Sequence, residues 1–365
     1  MGKILFITAY IPRESNAGAA YTKQLLEELA NKHVIDLIFF RSDKKLVYNP
    51  SHPNINIVGV YNVSTWSRIV GFICKPWLFP FFTCRFSPLI LKRLKNRIRK
   101  NGYDFVYFDF SQSFIYSYYL EHPNKILMSH DVIAQKYTRT RKYLLPWVIR
   151  TEHNLLKKGN AIFTFSPKDS GIIKDLYGID SQDTTFFINK NVKEAAPTES
   201  NNSFIFFGAW KRIENLESLE WFFDNVYGHL RCKSSFVIIG SGLADNMLNR
   251  IKSLQNVHYM GYVENPYPLI ANAKAMIAPL HKGAGVKVKC IEAMACGTMV
   301  IGTSVAFEGI SPIYSKLMIK AETTEEFINS IGACEQTIDE KKKNKEWFIS
   351  SYDKKSILKY INSVK

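Results

Sequence analysis

No run of about 18 uninterrupted apolar residues occurs, the length at which a helix begins to span a bilayer. The start, MGKILFITAY, is a short strand-like run that lacks a signal-peptide cleavage pattern. Both absences predict a chain that stays in the cytoplasm. Cysteine is sparse: Cys74, Cys84, Cys232, Cys290, Cys296 and Cys334 lie far apart or inside apolar runs, with no C-x-x-C pair and no metal-ligand spacing. They read as reduced, mostly buried thiols, not as a disulfide framework or a metal site. No D-x-D motif ends an obvious strand, since Asp104 and Asp109 in YDFVYFDF are five residues apart. Low-complexity tracts are also missing and hydrophobic residues make up 46% of the chain, which excludes a disordered protein.

Acid is missing locally. The formal net charge is +16, and Lys and Arg outnumber Asp and Glu by 28 to 16 over residues 1–200 but only by 20 to 16 over 201–365. Residues 51–100 hold nine bases and no carboxylate, with Trp66, Phe72, Trp77, Phe79, Phe81, Phe82 and Phe86 interleaved with Arg68, Lys75 and Arg85 before a basic, helix-like tail from Lys92 to Lys100. An anionic lipid surface or a nucleic acid fits such a segment. A buried aromatic hairpin followed by a solvated helix is the plain structural alternative.

At 365 residues the chain exceeds the usual single core, so two domains are expected. Apolar strand-like runs alternate with helical patterns throughout: KILFIT, VIDLIFF, FVYFDF and KILMSH in the first half, then SFIFFG, SFVIIG, VHYMG and AMIAPL in the second. Strand, crossover and strand repeated in this way predict parallel sheets covered by helices on both faces. Residues 190–203, KNVKEAAPTESNNS, are polar and lack an apolar period, which makes them the expected linker. The fold class read from the chain is therefore α/β, two Rossmann-like doubly wound domains facing a central cleft. Ligands are expected at the carboxyl ends of the strands. The expected boundaries are 1–190, an acceptor-side domain, 191–345, a nucleotide-binding domain, and 346–365, a C-terminal helix returning toward the first domain.

Those strand ends carry the candidate chemistry. Gly18 follows the first strand just before a helix, where a bare backbone can approach a phosphate or sugar, although AGAA also suits a simple turn. FFGAWKRIEN repeats the arrangement with Gly208, Lys211 and Arg212, two cations that suit a diphosphate or are ordinary surface bases. VIIGSG lacks the full dinucleotide fingerprint, so a Rossmann dehydrogenase is not supported. In HKGAGVKVKCIEAMACGTMVIGT, residues 281–303, Gly283 and Gly285 form a turn before a helix bearing Lys287, Lys289 and Glu292. Helical side chains lean toward the N-terminus, so Glu292 can reach back and accept hydrogen bonds from the vicinal hydroxyls of a ribose. A Lys289–Glu292 pair on the helix surface is the structural alternative. His130 in KILMSHDVIAQKY stands at a strand end, as a catalytic or a purely structural hydrogen-bonding group.

Residues 256–310, from NVHYMGYVENPYPL to TSVAFEGI, resemble the signature region of the retaining family 4 glycosyltransferases of GT-B fold. FIFFGAWKRIENLESLEWFFDNV, SHD and AGAA extend the resemblance, whereas residues 40–125 carry no family motif. The resemblance implies a nucleoside diphosphate sugar, a UDP-sugar foremost, lying against the second domain. Glu292 would hold the ribose, and Gly261, Tyr262 and Val263 would flank the base. Lys211, Arg212, Lys287 and Lys289 would face the diphosphate, with Gly208 beside them and Gly18 packed against the donor. His130 matches the family's active-site histidine. Where the family often has a glutamate on the donor sugar this chain has Ala284, as in a subset of the family, so the backbone amides from Gly285 through Val286 to Lys287 would face the sugar.

Net retention, no metal and no cofactor are implied, with a saccharide or lipid-linked saccharide as acceptor in bacterial-type surface polysaccharide, capsule or lipopolysaccharide synthesis. An enzyme docked peripherally on the inner face of the plasma membrane would suit the basic aromatic segment. A sugar nucleotide epimerase shares this architecture but needs acid/base carboxylates in the cleft. A basic nucleic-acid-binding protein would explain the charge but leaves Glu292 and the glycine turns without a role, so no nucleic acid is expected.

Overall fold

The computed structural model describes residues 2–13, 17–198, 201–231, 234–283, 285–352 and 356–363. The chain divides into two compact units, Met1–Phe187 with Lys355–Lys365, and Ile188–Lys354.

Unit 1 is built on seven strands: β1 (Gly2–Thr8), β2 (His33–Arg41), β3 (Ile55–Asn62), β4 (Phe105–Asp109), β5 (Lys125–Met128), β6 (Ala161–Thr164) and β7 (Gln182–Asp183). All pair in parallel, in the order β3-β2-β1-β4-β5-β6-β7. Parallel strands covered on both faces need apolar residues at every position, and Ile4 to Ile7 and Val106 to Phe108 are all fully buried. Leu5, Ile7, Val106 and Phe108 join one core cluster, while Phe6 stacks on Tyr107, ring centroids 4.5 Å apart. The strand order reverses between β1 and β4, where Thr8 lies opposite Asp109. This switch point is where doubly wound sheets bind ligands.

Unit 2 repeats the plan with β8 (Ser203–Phe207), β9 (Ser235–Ile239), β10 (Val257–Gly261), β11 (Ala275–Ala278), β12 (Met299–Gly302) and β13 (Met318–Lys320). Its parallel order is β10-β9-β8-β11-β12-β13, with the reversal between β8 and β11. Glycines shape the carboxyl edge of this sheet. Gly240 has φ 123°, and a Cβ there would lie 1.8 Å from the Gly208 carbonyl oxygen.

The structure departs from the sequence reading in several places. The expected linker at 190–203 begins with a helix, Lys190–Glu194, whose Val192 is fully buried. The Lys345 ammonium donates to the carbonyls of Val192 and Ala195, which ties the segment into unit 2. One buried valine and a cation 150 residues away are invisible to local composition. The expected C-terminal helix is two: Ile338–Tyr352 in unit 2, and Ile357–Ser363, which bonds to unit 1 through Ile357 N–H and the Thr184 hydroxyl at 2.9 Å. No aromatic hairpin forms after residue 64; helices Thr65–Cys74 and Pro80–Thr83 stand there. Cys74 and Cys84 are half-buried, Cys290, Cys296 and Cys334 buried, and all five are free. Cys232 lies outside the described residues.

Gly240→Ala combines a left-handed φ with a collision against backbone. It should destabilise unit 2 by about 2 kcal/mol or more. An unshifted calorimetric melt for this variant would contradict the close approach of the β8 and β9 ends.

Candidate active site

In unit 1 three strand ends converge on one carboxylate. Asp109, the last residue of β4, is fully buried. Its Oδ2 accepts hydrogen bonds from the Thr8 hydroxyl of β1 at 2.9 Å and the Thr22 hydroxyl of helix Ala17–Ala30 at 2.6 Å. Its Oδ1 lies 2.8 Å from His130 Nε2, just past the end of β5. A carboxylate only accepts, so the pairing assigns the Nε2 proton to the imidazole and leaves Nδ1 as the ring's other working atom. The imidazole is also clamped from its sides. Phe110 stacks on it with centroids 3.6 Å apart, and Phe165 and Tyr21 meet it edge-on at 4.9 and 5.9 Å.

Phe110 holds this position at φ 64°, the one non-glycine left-handed backbone among the described residues. Such strain collects at functional sites. Gly18 completes the arrangement, because a Cβ there would sit 3.1 Å from His130 Nδ1 and 3.0 Å from the Phe110 ring. The glycine read from the sequence as a close-approach position therefore keeps the Nδ1 edge clear. An imidazole held by a buried carboxylate can donate or accept at Nδ1 and carry a transient positive charge.

In unit 2 the candidates form two adjoining groups. Helix Val288–Ala295 begins after Lys287, and no side chain caps its first turn. The preceding loop bends through Gly283 and Gly285 at φ 117° and 74°; Ala284 lies outside the described residues. The Lys287 ammonium donates to Gly285 O at 2.6 Å and lies 3.8 Å from Glu308. Lys289 reaches across to Asn215 Oδ1 at 3.0 Å, and a Cβ on Gly208 would be 3.5 Å from its ammonium. Burial pulls the Lys289 pKa down to about 8; Arg212 and Lys287 nearby lower it further, while Cys290 and Glu214 oppose the fall. Arg212 is already engaged by Glu214 through two hydrogen bonds, its side chain two-thirds exposed. Lys211 is exposed and lies over Gly242, where a Cβ would meet its Cγ at 2.4 Å.

Glu292, one turn along from Lys289, accepts a hydrogen bond from the Tyr267 hydroxyl at 2.9 Å. Burial pushes its pKa up to about 7, and the Tyr267 bond restrains the rise. Lys289 and Glu292 thus turn to different partners, and the surface Lys–Glu pair is not what the helix builds. Gly261 ends β10 at φ 65° and its carbonyl accepts from Gly240 N–H at 2.7 Å, with Val263 half-buried and Tyr262 exposed beyond it. Val286 is half-buried in the glycine loop.

Gly208, Arg212, Lys287 and Lys289 are therefore brought together, with Glu292 close along the helix and Lys211 on an outer turn. Asp109, Phe110, Asn215, Tyr267 and Glu308 were not read from the sequence as site residues. Asp109 alone left a signal, an acid closing the apolar strand FVYFD, which its failed D-x-D spacing obscured. Among the described residues, no group of three or more His, Cys, Asp or Glu side chains is placed to hold a metal ion. Tyr267→Phe removes the bond that restrains Glu292, so the carboxyl should titrate above the wild-type midpoint of about 7. Carbon-13 NMR of labelled glutamate would read the shift, and an unchanged midpoint would separate the two groups.

Residues 201–336 match the family model described as glycosyl transferases group 1. No match is found among curated proteins by sequence. In three dimensions the chain is similar to Anabaena HepE in complex with UDP, with a TM-score of 0.70, 12% identity, and 99% of this chain and 100% of that one covered. It is also similar to sucrose-phosphate synthase from Thermosynechococcus elongatus, with a TM-score of 0.66, 14% identity, and coverage of 98% and 96%. WaaG, a glycosyltransferase involved in lipopolysaccharide biosynthesis, aligns with a TM-score of 0.61, 11% identity, and 95% coverage of each chain. At such identities the structures speak for the fold, and the sequence match speaks for the second unit. Together they give the chain the GT-B glycosyltransferase fold, with residues 201–336 of its second unit similar to the glycosyl transferases group 1.

Proposed function

We propose that this enzyme transfers a sugar from a nucleoside diphosphate sugar, a UDP-sugar foremost, to a saccharide or lipid-linked saccharide acceptor with net retention at the anomeric carbon. The setting proposed is synthesis of a surface polysaccharide, capsule or lipopolysaccharide on the cytoplasmic side of the membrane. One observation carries the donor assignment. At the switch point of unit 2, a half-buried carboxylate, Glu292, whose partner among the described residues is the Tyr267 hydroxyl, lies one helical turn from a cluster of Arg212, Lys287 and Lys289. A ribose and a diphosphate are the two parts of one ligand that such a pair accommodates. HepE, of similar fold, binds UDP, and WaaG acts in lipopolysaccharide synthesis, which supports the same reading.

In the proposed reaction the bond from the anomeric carbon to the diphosphate oxygen breaks and a bond to the acceptor oxygen forms on the same face. The acceptor's proton passes to the departing diphosphate. Negative charge grows on that diphosphate, and Lys287, Lys289 and Arg212 stabilise it in place of a metal, together with the uncapped N–H groups of helix Val288–Ala295. His130, oriented by Asp109, is assigned to the transfer step, where its Nδ1 serves a sugar hydroxyl or the charge on the ring.

Ionisation fixes the expected pH dependence. The ribose needs Glu292 deprotonated, so donor affinity should fall as pH drops below about 7. The diphosphate needs Lys289 protonated, so affinity should also fall as pH rises past about 8 in the free enzyme. Titration calorimetry with UDP should give a maximum between these limits, and Glu292→Gln should erase the acid limb. Glu292→Ala should lose charge-assisted hydrogen bonds of about 1.5–3 kcal/mol each; equal affinity in this variant would refute the ribose assignment. His130→Ala should lower kcat by roughly 100-fold with a smaller change in donor affinity, and near wild-type turnover would make the histidine structural. Product analysis of a UDP-sugar with and without acceptor separates transfer from epimerisation.

A further inference from the structure

The part of unit 1 without family motifs carries a surface that donor chemistry does not use. Helix Thr65–Cys74, TWSRIVGFIC, buries a single residue, Gly71. A Cβ at Gly71 would lie 2.2 Å from Thr83 O and 3.3 Å from Phe86 O, so this helix rests its bare backbone on the turn beneath it. Its larger apolar side chains face outward. Trp66 is 76% and Ile73 68% exposed, with Ile69, Val70 and Phe72 exposed beside them.

Single exposed apolar residues are ordinary on a protein surface, but five on one ten-residue helix are not. The patch continues past the helix. Trp77 is 60% exposed, and its carbonyl accepts from Trp147 Nε1 at 3.0 Å. Trp147 also meets the Phe72 ring at 6.5 Å, and the turn Lys142–Leu144 leading into its helix exposes Tyr143.

Bases rim this patch, and acids are missing from both segments that form it. Arg68, Arg141 and Lys142 are exposed, and Lys75 at the helix end holds its ammonium 4.1 Å from the Tyr119 ring centroid. No carboxylate occurs between Asp43 and Asp104, nor between Asp131 and Glu152. Sequence alone spread this character over residues 64–100. The structure concentrates the exposed apolar part on helix Thr65–Cys74 and its neighbours; in the basic tail Arg97 is engaged by Asp36 at 3.3 Å, while Lys92, Arg93, Lys95, Arg99 and Lys100 are exposed.

We infer that this surface docks unit 1 on an anionic lipid bilayer, helix Thr65–Cys74 lying in the plane of the interface. Trp66, Ile69, Ile73 and Trp77 enter the acyl boundary, and the rim bases meet lipid phosphates. Three aliphatic side chains have no base-stacking role, which disfavours a nucleic acid. A second copy of the chain would set one basic rim against another. The inference deepens the proposed reading, since an enzyme held there meets lipid-linked acceptors; lipid binding needs no sugar donor, so either reading can fail alone.

The test is co-sedimentation of the full chain with vesicles of phosphatidylglycerol and phosphatidylcholine, against phosphatidylcholine alone. Wild type should bind the anionic vesicles, with a blue shift in tryptophan emission and weakening in salt, which screens exposed charge beyond about 8 Å. The double variant Trp66→Gln, Ile73→Gln should lose at least about tenfold in vesicle affinity while keeping the wild-type melt and UDP binding. Arg68→Gln with Lys142→Gln should lose about tenfold or more. Wild type that ignores anionic vesicles at low salt would overturn the inference, as would equal binding by the apolar variant. A wild-type dimer that the apolar variant dissociates, without vesicle binding, would overturn it in favour of self-association.

Discussion

A buried carboxylate has to find its hydrogen-bond donors inside the fold, and in unit 1 that requirement gathers the carboxyl end of the sheet. Asp109 draws on Thr8, Thr22 and His130, which come from three separate elements. Each donor occupies a lone pair that water would fill at the surface. The sheet order makes this meeting possible. β1 and β5 both pair with β4, and the helix that follows β1 brings Thr22 back over the same strand end. His130 is therefore fixed by an interaction that also joins the layers, and the strained Phe110 is held in place by the ring it stacks on.

Unit 2 treats its charges in the opposite way. Lys341 and Lys345 are also drawn inward, but each directs its ammonium to two carbonyls, Ala271 and Ala273 for the first, Val192 and Ala195 for the second. Those lysines close helix ends and carry structure. Lys289 has one neutral amide partner and Glu292 one phenol, and burial shifts both toward neutrality, as it does Lys341. What separates the two kinds of lysine is hydrogen bonding: Lys341 meets two carbonyls, whereas Lys289 meets one amide oxygen and keeps N–H groups that a ligand could engage.

Much of this was legible in the sequence. KILFIT, FVYFDF, SFIFFG and AMIAPL contain strands because four consecutive residues of each, ILFI, FVYF, FIFF and AMIA, are apolar, as two covered faces demand. The glycine loop and Glu292 could be read because spacing along one strand–turn–helix unit is local. Asp109 could not be assigned, since its partner stands 21 residues away across a sheet pairing that no local spacing encodes. The start of unit 2 was hidden for a related reason: Ile188 and Val192 are buried apolar side chains in polar surroundings, so a helix looked like a linker. Helix Thr65–Cys74 carries Trp66, Ile69, Val70 and Ile73 at the spacing of a packed face, yet only Gly71 is buried, so periodicity alone points its apolar side the wrong way.

The uneven charge of the chain also acquires a physical account. Several bases of unit 1 are engaged within it: Lys125 by the carbonyls of Ser117 and Leu120, Arg97 by Asp36, Arg85 by the Ala9 carbonyl and the Tyr10 ring. Those that face outward beside apolar side chains lack neighbouring carboxylates in the sequence, so their field is not cancelled locally. In unit 2 Arg212, Lys287 and Lys289 cluster at a glycine-lined strand end, the kind of place that suits a compact anion and not an extended surface. The same excess of lysine and arginine thus takes two arrangements, exposed bases beside apolar side chains and a cluster near a carboxylate. Net charge alone could not tell these apart, because the distinction lies in which apolar and backbone groups stand next to each base.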